Sequence, residues 1–293
     1  MSYRIALATA AAYPDLDDDG RLLLGALRTA GHTAEPVVWS DADVDWEQYD
    51  AVVLSGTWDY SQRYDDFLGW MWTVASKTLV FNHEPLVRWY ADKRYLRDYE
   101  SEDVNIVPTQ FITVHDPTLE HDYLGVEHIV RPSISTGLTE TRRFGPEESD
   151  ASQAEIQRIK DMGKTAMVSP YLESADERSA VSLVYLDGEY SHAVAWSPRV
   201  ERGVEPSGDV HPVLDVVDVE PTTAERQIAD YALERGVTEV PLYVRVDLLR
   251  TPSDEPMVLE VQLVEPNLFL SRVPGLVDKF ARQIAGRIER ARA

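Results

Sequence analysis

The stretch RVDLLRTPSDEPMVLEVQLVEPNLFL, which runs from Arg245 to Leu270, decides the fold assignment. Two apolar runs, Leu242–Leu249 and Met257–Val264, flank a segment that is rich in Pro, Ser and Asp. Short runs of β-branched and aliphatic residues that are separated by turn residues are typical of paired strands. The stretch therefore predicts a β-hairpin.

Both predicted strands carry polar side chains among their apolar residues. Side chains of a strand alternate between the two faces of a sheet, so Glu260 and Gln262 point to the same side. Asp247 joins them if the two strands pair. Carboxylate and amide oxygens on an apolar sheet are costly unless a partner compensates their desolvation, and a hard cation such as Mg²⁺ is a suitable partner. The alternative is a solvated sheet face, which the apolar run VLEVQLV does not favour.

Composition bounds the size and the class of the chain. The 293 residues are enough for a large core and two or three subdomains. A stretch of ~18 apolar residues is absent, so no membrane span is expected. Residues 1–20 predict a first strand rather than a signal peptide. The absence of Cys excludes disulfides and thiolate chemistry, and the cytoplasm is the favoured compartment.

The charge of the chain is strongly negative. Its 51 acidic residues face 28 basic ones, which gives a net charge of −23. The negative electrostatic potential of such a chain argues against nucleic acid or an anionic membrane as a partner. The acidic residues are dispersed and Lys is scarce, which fits either adaptation to salt or an arginine-biased, GC-rich genome. The sequence leaves both explanations open.

Residues 1–105 alternate between predicted strands and predicted helices. Apolar runs predict strands at Arg4–Thr9, Thr33–Trp39, Ala51–Ser55 and Leu79–Phe81. Helical spacing of apolar residues predicts helices at Gly20–Ala30 and Tyr64–Ser76. Strands that are separated by helices imply a parallel sheet with helices on its faces. These residues are therefore predicted to form an N-terminal parallel α/β domain.

The remainder of the chain divides into two further predicted units. In residues 106–172 the predicted strands are Thr109–Val114, His128–Pro132 and Thr165–Pro170, with a helix at Glu147–Met162. In residues 173–293 they are Ala180–Leu186, Ser191–Trp196 and the hairpin, with helices at Thr223–Glu234 and Val277–Arg290. Arg199–Asp218 is polar and aperiodic, which predicts a long surface loop.

The hairpin resembles the metal-binding end of the ATP-grasp carboxylate–amine ligases, the fold of glutathione synthetase and D-alanine–D-alanine ligase. That family shows Arg-x-Asp on one strand, then Glu-x-Asn, then a loop that contains Pro. Arg245-Val246-Asp247, Glu260-Val261-Gln262 and Pro266 follow this order. The resemblance implies that Asp247, Glu260 and Gln262 ligate Mg²⁺ and that Arg245 stabilises a tetrahedral intermediate. Gln262 departs from the usual Asn but keeps a carbonyl oxygen.

The run Glu265-Pro266-Asn267-Leu268-Phe269-Leu270 narrows the resemblance. It is similar to the Glu-Pro-Ser-Leu-Phe-Leu of an ATP-grasp subgroup that includes the O-ureido-serine cyclo-ligase of cycloserine biosynthesis. The resemblance covers nearly the whole chain and implies an ATP-grasp fold. Its three parts would be an N-terminal parallel α/β domain (1–105), a small lid (106–172) and a C-terminal mixed-sheet domain (173–293).

Nucleotide binding needs a device other than a glycine-rich P-loop, because no such motif is present. The run HIVRPSISTG, residues 128–137, offers a cation followed by a loop of small residues, whose backbone amides can cradle phosphate oxygens. The loop residues concerned are Ser133, Ser135 and Gly137. The resemblance adds Arg131, where the family has Lys, and Lys93 as phosphate contacts. The alternatives are a surface turn and a solvated Lys.

The resemblance also implies an adenine site and a ribose site at the hinge between the lid and the C-terminal domain. The hinge strand is similar to MVSPYL, whose last residues are Tyr171 and Leu172, and its backbone would bind adenine. Glu173 or Glu177 would bind the ribose hydroxyls.

Candidate substrate contacts follow a predicted strand of the N-terminal domain. Ligands of parallel α/β sheets bind beyond the carboxyl ends of strands, and the candidates there are Trp58, Asp59, Tyr60 and Arg63. The subgroup has Arg where this chain has Ser55, which indicates a different substrate. A helix-capping loop is the alternative. Further candidates are Arg199, Glu265 and Asn267.

The function that the resemblance implies is an ATP-dependent ligase. It would join a small carboxylate, such as an amino acid, to an amine through an acyl phosphate. An intramolecular cyclo-ligase and a nucleotide- or metabolite-binding protein without catalysis are the alternatives. The expected cofactors are ATP and Mg²⁺ and the expected partners are small amino-acid substrates, with no nucleic acid and no membrane. A homodimer is an assembly that the sequence allows.

Overall fold

The computed structural model describes residues 1–176, 180–205, 215–251 and 253–293. In chain order its strands are β1 Arg4–Thr9, β2 Thr33–Val38, β3 Ala51–Leu54, β4 Leu79–Val80, β5 Gln110–Ile112, β6 His128–Pro132, β7 Arg142–Phe144, β8 Ala166–Pro170, β9 Ala180–Leu186, β10 Glu189–Trp196, β11 Val217–Val219, β12 Tyr243–Arg250 and β13 Pro256–Gln262. Its α-helices are α1 Asp18–Thr29, α2 Tyr64–Ala75, α3 Glu84–Ala91, α4 Leu96–Ser101, α5 Ser149–Asp161, α6 Thr223–Gly236 and α7 Leu276–Arg292.

The N-terminal sheet is parallel, with the strand order β2-β1-β3-β4. The interior of β1 is fully apolar and buried, as expected of a strand that is covered on both faces. Helix α1 begins after Asp17, whose carboxylate accepts the backbone N–H of Gly20 at 2.8 Å. This side-chain cap satisfies one of the free amides at the start of the helix.

The second sheet is antiparallel and has the order β5-β8-β6-β7. Helix α5 packs on it through Ile156 and Ile159, which join Val130 and Val168 in one apolar cluster. The loop that follows β6 contains Ser133–Gly137 and carries the predicted phosphate-binding residues.

The third sheet has the order β11-β10-β9-β12-β13 and is antiparallel throughout. Its face with Val181, Leu183 and Val246 belongs to the same apolar cluster as Ala229 and Ala232 of α6. Because side chains alternate along a strand, the opposite face carries Ser182, Arg245 and Asp247. One face of this sheet therefore builds the core, and the other presents polar groups.

The last helix returns to the beginning of the chain. Phe280, Ile284 and Ile288 of α7 are fully buried in one apolar cluster with residues of β1 and α1. Asp19 of α1 also accepts the backbone N–H groups of Leu268 and Leu270, at 3.0 and 2.9 Å. The segment after the hairpin is thereby fixed against the N-terminal sheet.

The predicted fold class is confirmed, with one parallel sheet and two antiparallel sheets in the expected order. The domain boundaries at residues 105/106 and 172/173 stay predictions. The predicted loop Arg199–Asp218 is wrong at its end, where Val217–Val219 forms β11 beside β10; residues 206–214 lie outside the described ranges. Among the described residues there is no helix that combines the length and the apolar character needed to span a bilayer.

Candidate active site

The hairpin brings its polar residues together on one face. In the pairing of β12 with β13, Asp247 lies opposite Glu260 and Arg245 lies opposite Gln262, and the register shifts directly after Asp247. Residues opposite each other in an antiparallel pair project to the same side. All four side chains line one cavity of about 50 Å³, and their role as metal ligands stays a prediction.

Of the carboxylates in this group, Asp247 accepts the most hydrogen bonds. It is 1% exposed, and Arg245 donates to its two oxygens from Nε and Nη2, at 2.8 and 2.9 Å. Ser182 Oγ donates at 2.6 Å and Gln262 Nε2 at 3.0 Å. A buried carboxylate is tolerated when its charge is paired and its lone pairs accept hydrogen bonds, and Asp247 meets both conditions.

Glu260 lies between two buried cations. Lys93 Nζ is 3.4 Å from Glu260 Oε1, and Arg131 Nη1 is 3.5 Å from Oε2. Lys93 is 1% exposed and Arg131 is 4% exposed. Burial lowers the pKa of Lys93, and the negative charge of Glu260 opposes that shift. Arg131 Nε is buried and has no hydrogen-bond partner among the described residues, so a donor is free for a ligand.

The loop after β6 closes over this cluster. Lys93 donates from its backbone N–H to Ser133 O at 2.8 Å and from Nζ to Ser135 O at 2.5 Å. The side chains of Ser133 and Ser135 are buried, and Ser135 Oγ donates to Pro132 O at 3.0 Å. Gly137 has a φ of +55° and lines the cavity. The loop therefore contacts Lys93 through its backbone carbonyl groups rather than through its hydroxyl groups.

The same loop also binds the N-terminal domain. Thr136 Oγ1 lies 3.0 Å from Trp58 O and 3.0 Å from Ser61 Oγ. Lys164 Nζ donates to Ser61 O and to Ile134 O, each at 3.1 Å. Ser61 is 3% exposed and receives contacts from two separate parts of the lid. These contacts join the predicted lid to the N-terminal part of the chain.

Three of the predicted substrate residues line the cavity: Trp58, Glu265 and Asn267. Trp58 Nε1 donates to Glu265 O at 3.3 Å, and Arg245 Nη1 donates to Asn267 O at 3.1 Å. Glu265 Oε2 is buried without a hydrogen-bond partner in the described residues. Burial raises the pKa of Glu265 well above its usual range, although Lys93 and Arg245 act in the opposite direction.

The other predicted substrate residues do not line this cavity. Asp59 accepts Trp39 Nε1 at 2.7 Å, and Arg63 pairs with Asp66 at 3.1 Å. Arg199 is exposed and lies 3.8 Å from Glu201.

Tyr60 belongs to the core beside Phe67. Its pKa is raised well above the usual range, chiefly by burial and then by the charges of Glu265 and Glu260. Tyr60 is therefore a core residue and does not line the cavity.

The hinge residues lie at a second cavity of about 740 Å³, which Tyr171, Leu172 and Glu173 line. Val181 and Ala195 line it too, so it opens toward the α6 side of the third sheet. Leu172 also packs in an apolar cluster with Trp196 and Leu259, which border the cavity of Asp247. Leu172 thus connects the two regions, whereas Glu177 lies outside the described residues.

Several residues of the site were not found from the sequence. Ser182 and Trp196 extend the polar network, because Trp196 Nε1 donates to Ser182 Oγ at 2.9 Å and Ser182 donates to Asp247. Leu138 and Leu259 add apolar walls. A single Ser inside the buried strand AVSLVYL was the available signal, since a buried hydroxyl needs a partner.

The described residues contain no group of three or more His, Cys, Asp or Glu side chains arranged to hold a metal ion. Asp247 and Glu260 are instead paired with Arg245, Lys93 and Arg131 in this structure. The site therefore consists of positively and negatively charged side chains around a small cavity, and the loop Ser133–Gly137 covers that cavity.

Comparison with known proteins finds similar sequences and similar structures. The family model for the N-terminal domain of the D-cycloserine synthetase DcsG matches residues 5–82. The cycloserine biosynthesis protein DcsG of Streptomyces lavendulae is 32% identical over 299 residues, which cover 97% of this chain and 99% of the relative. The crystal structure of D-cycloserine synthetase DcsG matches 97% of this chain and 99% of its own, with a TM-score of 0.87 and 31% identity.

More distant structures share the fold alone. D-Alanine–D-alanine ligase from Bacillus anthracis, solved with ATP, has a TM-score of 0.72 at 13% identity and covers 100% of this chain and 98% of its own. A RimK domain ATP-grasp protein from Sphaerobacter thermophilus has a TM-score of 0.67 at 18% identity, covering 97% and 100%.

The fold and the similarity to DcsG together define an ATP-grasp enzyme, that is, an ATP-dependent ligase. Within that class the chain belongs to the family of the D-cycloserine synthetase DcsG. The resemblance that the hairpin indicated is confirmed.

Proposed function

We propose that this ligase activates the carboxylate of a small amino acid with ATP and transfers the acyl group to a nitrogen nucleophile. The observation that carries the proposal is the convergence of three buried cations, Lys93, Arg131 and Arg245, on the carboxylates of Asp247 and Glu260. Three cations face two paired carboxylates, and burial raises the pKa of the third carboxyl group, Glu265, well above its usual range. The resulting excess of cations suits the phosphates of ATP and an acyl phosphate.

Lys93 and Arg131 are the proposed phosphate contacts. Arg131 Nε has no partner among the described residues, and Lys93 has two further donors besides the one to Ser135 O. Phosphate oxygens near Glu260 would replace part of the pairing that these cations now give to its carboxylate. The backbone of Ser133–Gly137 would cover the phosphates from the lid side.

The residues fit a magnesium ion that is shared with phosphate oxygens. Asp247, Glu260 and Gln262 supply hard oxygen donors on one sheet face, too few for an all-protein cage and suited to Mg²⁺, which usually keeps phosphate and water ligands. When bound there, Mg²⁺ would neutralise charge on the phosphates of ATP. Release of Glu260 from its two cations would accompany that binding. Asp247, which now accepts four hydrogen bonds, would give up at least one of them.

The proposed reaction has two chemical steps. A carboxylate oxygen of the substrate attacks the γ-phosphorus of ATP, and the bond to ADP breaks. The nitrogen nucleophile then attacks the acyl carbon, loses one proton, and inorganic phosphate leaves. Arg245 lines the cavity and keeps unused donors on Nη1 and Nη2, so it is placed to stabilise the oxyanion of the second step.

The lid and the hinge would serve nucleotide binding and the exclusion of water. The contacts of Thr136 and Lys164 with the N-terminal domain hold the cavity closed, which would protect an acyl phosphate from hydrolysis. Tyr171, Leu172 and Glu173 are the proposed adenine and ribose contacts, with Leu138 and Leu259 as apolar neighbours.

A second candidate is ring closure within one substrate, and the similarity to a D-cycloserine synthetase over 97% of the chain favours it. Here the nitrogen nucleophile and the carboxylate would belong to one molecule. Ser55, which stands where the subgroup has Arg, indicates that the substrate differs in the part that faces the N-terminal domain.

The test is a screen for ADP release with single amino acids and amino acid pairs, with products identified by mass spectrometry. We expect ADP release that depends on a carboxylate substrate and a product lighter than its substrates by one water. Turnover with one substrate indicates ring closure, and turnover only with two indicates intermolecular ligation. ATP-dependent turnover without a carboxylate substrate would contradict the proposal.

A further inference from the structure

Strand β13 forms one edge of the third sheet. The backbone N–H and C=O groups on the outer side of an edge strand have no neighbouring strand to pair with. The segment between α4 and β5 pairs with them instead. Val258 N–H donates to Asn105 O at 2.8 Å, and Val107 N–H donates to Val258 O at 2.9 Å. Near Val258 the edge is therefore covered by backbone atoms.

Further along the same edge, one side chain pairs with the backbone of Val261. The hydroxyl of Tyr95 accepts the N–H of Val261 at 2.7 Å and donates to Val261 O at 3.1 Å. A tyrosine hydroxyl has a single donor, so these two bonds use that donor and satisfy both backbone groups of Val261. Val261 stands between Glu260 and Gln262, the two proposed metal ligands of this strand.

The packing of its ring fixes the position of this hydroxyl. Tyr95 is 2% exposed, and its ring centroid lies 4.7 Å from that of Tyr90 and 5.4 Å from that of Tyr99. All three rings belong to the apolar cluster that also holds Val261. Tyr95 is not among the described residues that line the cavity of Asp247, so any effect on a ligand there passes through other residues.

The turn that contains Tyr95 also carries Lys93. The two residues begin and end one 3₁₀ turn. Lys93 Nζ lies 3.4 Å from Glu260 Oε1, and Tyr95 binds the backbone of the next residue of β13. Two contacts from one turn fix the distance and the angle between the turn and the strand, whereas a single contact would let the strand rotate about it.

We infer that Tyr95 is a positioning residue of the ATP site. Its hydroxyl holds β13 at the residue between the two proposed metal ligands, and this sets the direction in which Glu260 and Gln262 project from the strand. The inference rests on the proposed function, because the ligand roles of Glu260 and Gln262 belong to it. Hydrogen-bonded partners orient metal ligands, and their loss commonly lowers metal affinity or activity about 10- to 100-fold. Tyr95 acts as such a partner through the backbone of β13.

The test compares Tyr95→Phe with Tyr90→Phe. The hydroxyl of Tyr90 pairs with that of Tyr99 at 2.9 Å in the same cluster, so each change removes one buried hydroxyl and leaves its partner unpaired. The full chain is titrated calorimetrically with a non-hydrolysable ATP analogue, once with excess Mg²⁺ and once with EDTA. The ratio of the two Kd values gives the factor by which Mg²⁺ strengthens binding. We expect this Mg²⁺ factor to fall about tenfold or more in Tyr95→Phe and to stay unchanged in Tyr90→Phe, although both variants lose stability.

Glu260→Gln supplies a second readout that a purely structural role of Tyr95 would not move. Effects of independent sites add, whereas changes that act through the same group do not. Tyr95→Phe should therefore reduce the Mg²⁺ factor by less in the Glu260→Gln background than in the unmutated chain.

The outcomes separate this inference from the proposed function. An unchanged Mg²⁺ factor in Tyr95→Phe would overturn the inference, as would an equal loss in Tyr90→Phe or full additivity with Glu260→Gln. If Tyr95→Phe is unfolded by circular dichroism, the same titrations of all variants in trimethylamine N-oxide, which favours the folded state, keep the comparison. ADP release that depends on a carboxylate substrate, together with an unchanged factor in Tyr95→Phe, would contradict the inference alone. Nucleotide binding that Mg²⁺ does not strengthen in the unmutated chain would contradict the proposed metal site, and the inference would fall with it.

Discussion

Arg245 and Asp247, two residues apart on one strand, are joined by parallel hydrogen bonds of 2.8 and 2.9 Å. The pair is buried, with side-chain exposures of 5% and 2%. Bidentate pairing fixes the plane of a guanidinium group better than a single contact does. The remaining N–H groups of Arg245 therefore have a defined direction before any substrate binds, and an oxyanion requires such preorganised donors.

Arg245→Ala should reduce turnover far more than it reduces ATP affinity. Loss of one preorganised donor to a developing oxyanion commonly costs about 3–4 kcal/mol of barrier, or about 10² to 10³ in rate. ATP carries no oxyanion at that position in the ground state, so its Kd should change by much less. Steady-state ADP release and calorimetric titration of MgATP measure the two quantities.

The control for this variant is Arg287→Ala, a partly buried arginine of α7 that pairs with Asp187 and lines neither the cavity of Asp247 nor that of the hinge. Its turnover should remain within a few-fold of the unmutated enzyme. If Arg245→Ala loses MgATP binding and turnover in parallel, Arg245 is a nucleotide contact instead.

Glu260→Gln should abolish ADP release and leave the fold intact. The change removes a proposed metal ligand and leaves Lys93 and Arg131 without their shared counter-charge. Breaking a buried ion pair on one side costs up to about 3–5 kcal/mol, so Tm should fall measurably and part of the loss should be recovered when MgATP supplies negative charge.

Glu155→Gln is the matched comparison, since Glu155 is a buried carboxylate with two arginine partners in the lid. It should lose stability in the same way without losing turnover. Undiminished ADP release in Glu260→Gln would remove Glu260 from the proposed metal site.

The architecture could be predicted from the sequence because it depends on local patterns of apolar and polar residues. Alternation in VLEVQLV placed Glu260 and Gln262 on one face, and the structure has them lining one cavity. Contacts that depend on tertiary packing could not be predicted from the sequence. Lys93 could have been a solvated helix residue, and only its burial beneath Ser135 shows otherwise.

The segment Trp58–Gln62, which holds three of the predicted substrate contacts, shows the same limit of prediction from sequence. Trp58 turns toward the cavity, whereas Asp59 turns toward Trp39 and Tyr60 into the core. A 3₁₀ turn over Trp58–Gln62 distributes these side chains in different directions. Sequence spacing outside a regular strand or helix does not fix such directions, so Asp59 and Arg63 could not be separated from Trp58 beforehand. The strand β7 and the helices α3 and α4 were missed because they have only three, eight and six residues, too few to show a clear period in the sequence.

Lys164→Met and Thr136→Val should uncouple ATP consumption from product formation. Both residues bind the lid to the N-terminal domain at Ser61, and a loosened lid admits water to the acyl phosphate. The ratio of ADP released to product formed should rise above one in the variants, while Thr136→Ser should retain coupling because it keeps the hydroxyl.

Lys160→Met provides the comparison for the lid, because Lys160 donates to Asp116 O within the lid itself. Its coupling ratio should stay at the value of the unmutated enzyme. Equal ratios in all of these variants would show that Ser61 does not control access of water.

Melting temperature should rise with KCl into the molar range if the acidic composition reflects adaptation to salt. The net charge of −23 implies self-repulsion, which is screened as the Debye length falls from ~30 Å at 0.01 M to ~3 Å at 1 M salt. A melting curve that is indifferent to KCl would favour genome composition as the cause. Matched titrations with NaCl separate general screening from an effect of potassium.

A hydrogen-bonded chain through two histidines of the predicted lid, His121 and His128, should make the stability of the protein depend on pH. His128 Nδ1 lies 2.8 Å from Val126 O and therefore carries a proton, since a carbonyl oxygen only accepts. Ser152 Oγ then donates to His128 Nε2 at 2.7 Å, and His121 Nε2 donates to Ser152 Oγ at 3.2 Å. The remaining nitrogen, His121 Nδ1, accepts the N–H of Tyr123 at 3.3 Å.

Protonation of His121 would place an N–H against another N–H and break this chain. Burial, and secondarily the neighbouring His128, lower the pKa of His121 from 6.5 to about 4. The unfolded chain therefore binds this proton at a higher pH than the folded chain does. The free energy of unfolding should fall as the pH drops from about 6.5 to about 4, and the contribution is fully present above that window.

Urea unfolding at a series of pH values from 4 to 7.5 measures this dependence, and His121→Gln provides the reference without the titrating group. The slope of unfolding free energy against pH should be smaller in the variant within this window and equal above it. Asp19, whose pKa is raised to about 6, contributes with the opposite sign in part of the same range. The difference between the two proteins, rather than either curve alone, is therefore the quantity to compare, and identical slopes would show that His121 titrates normally.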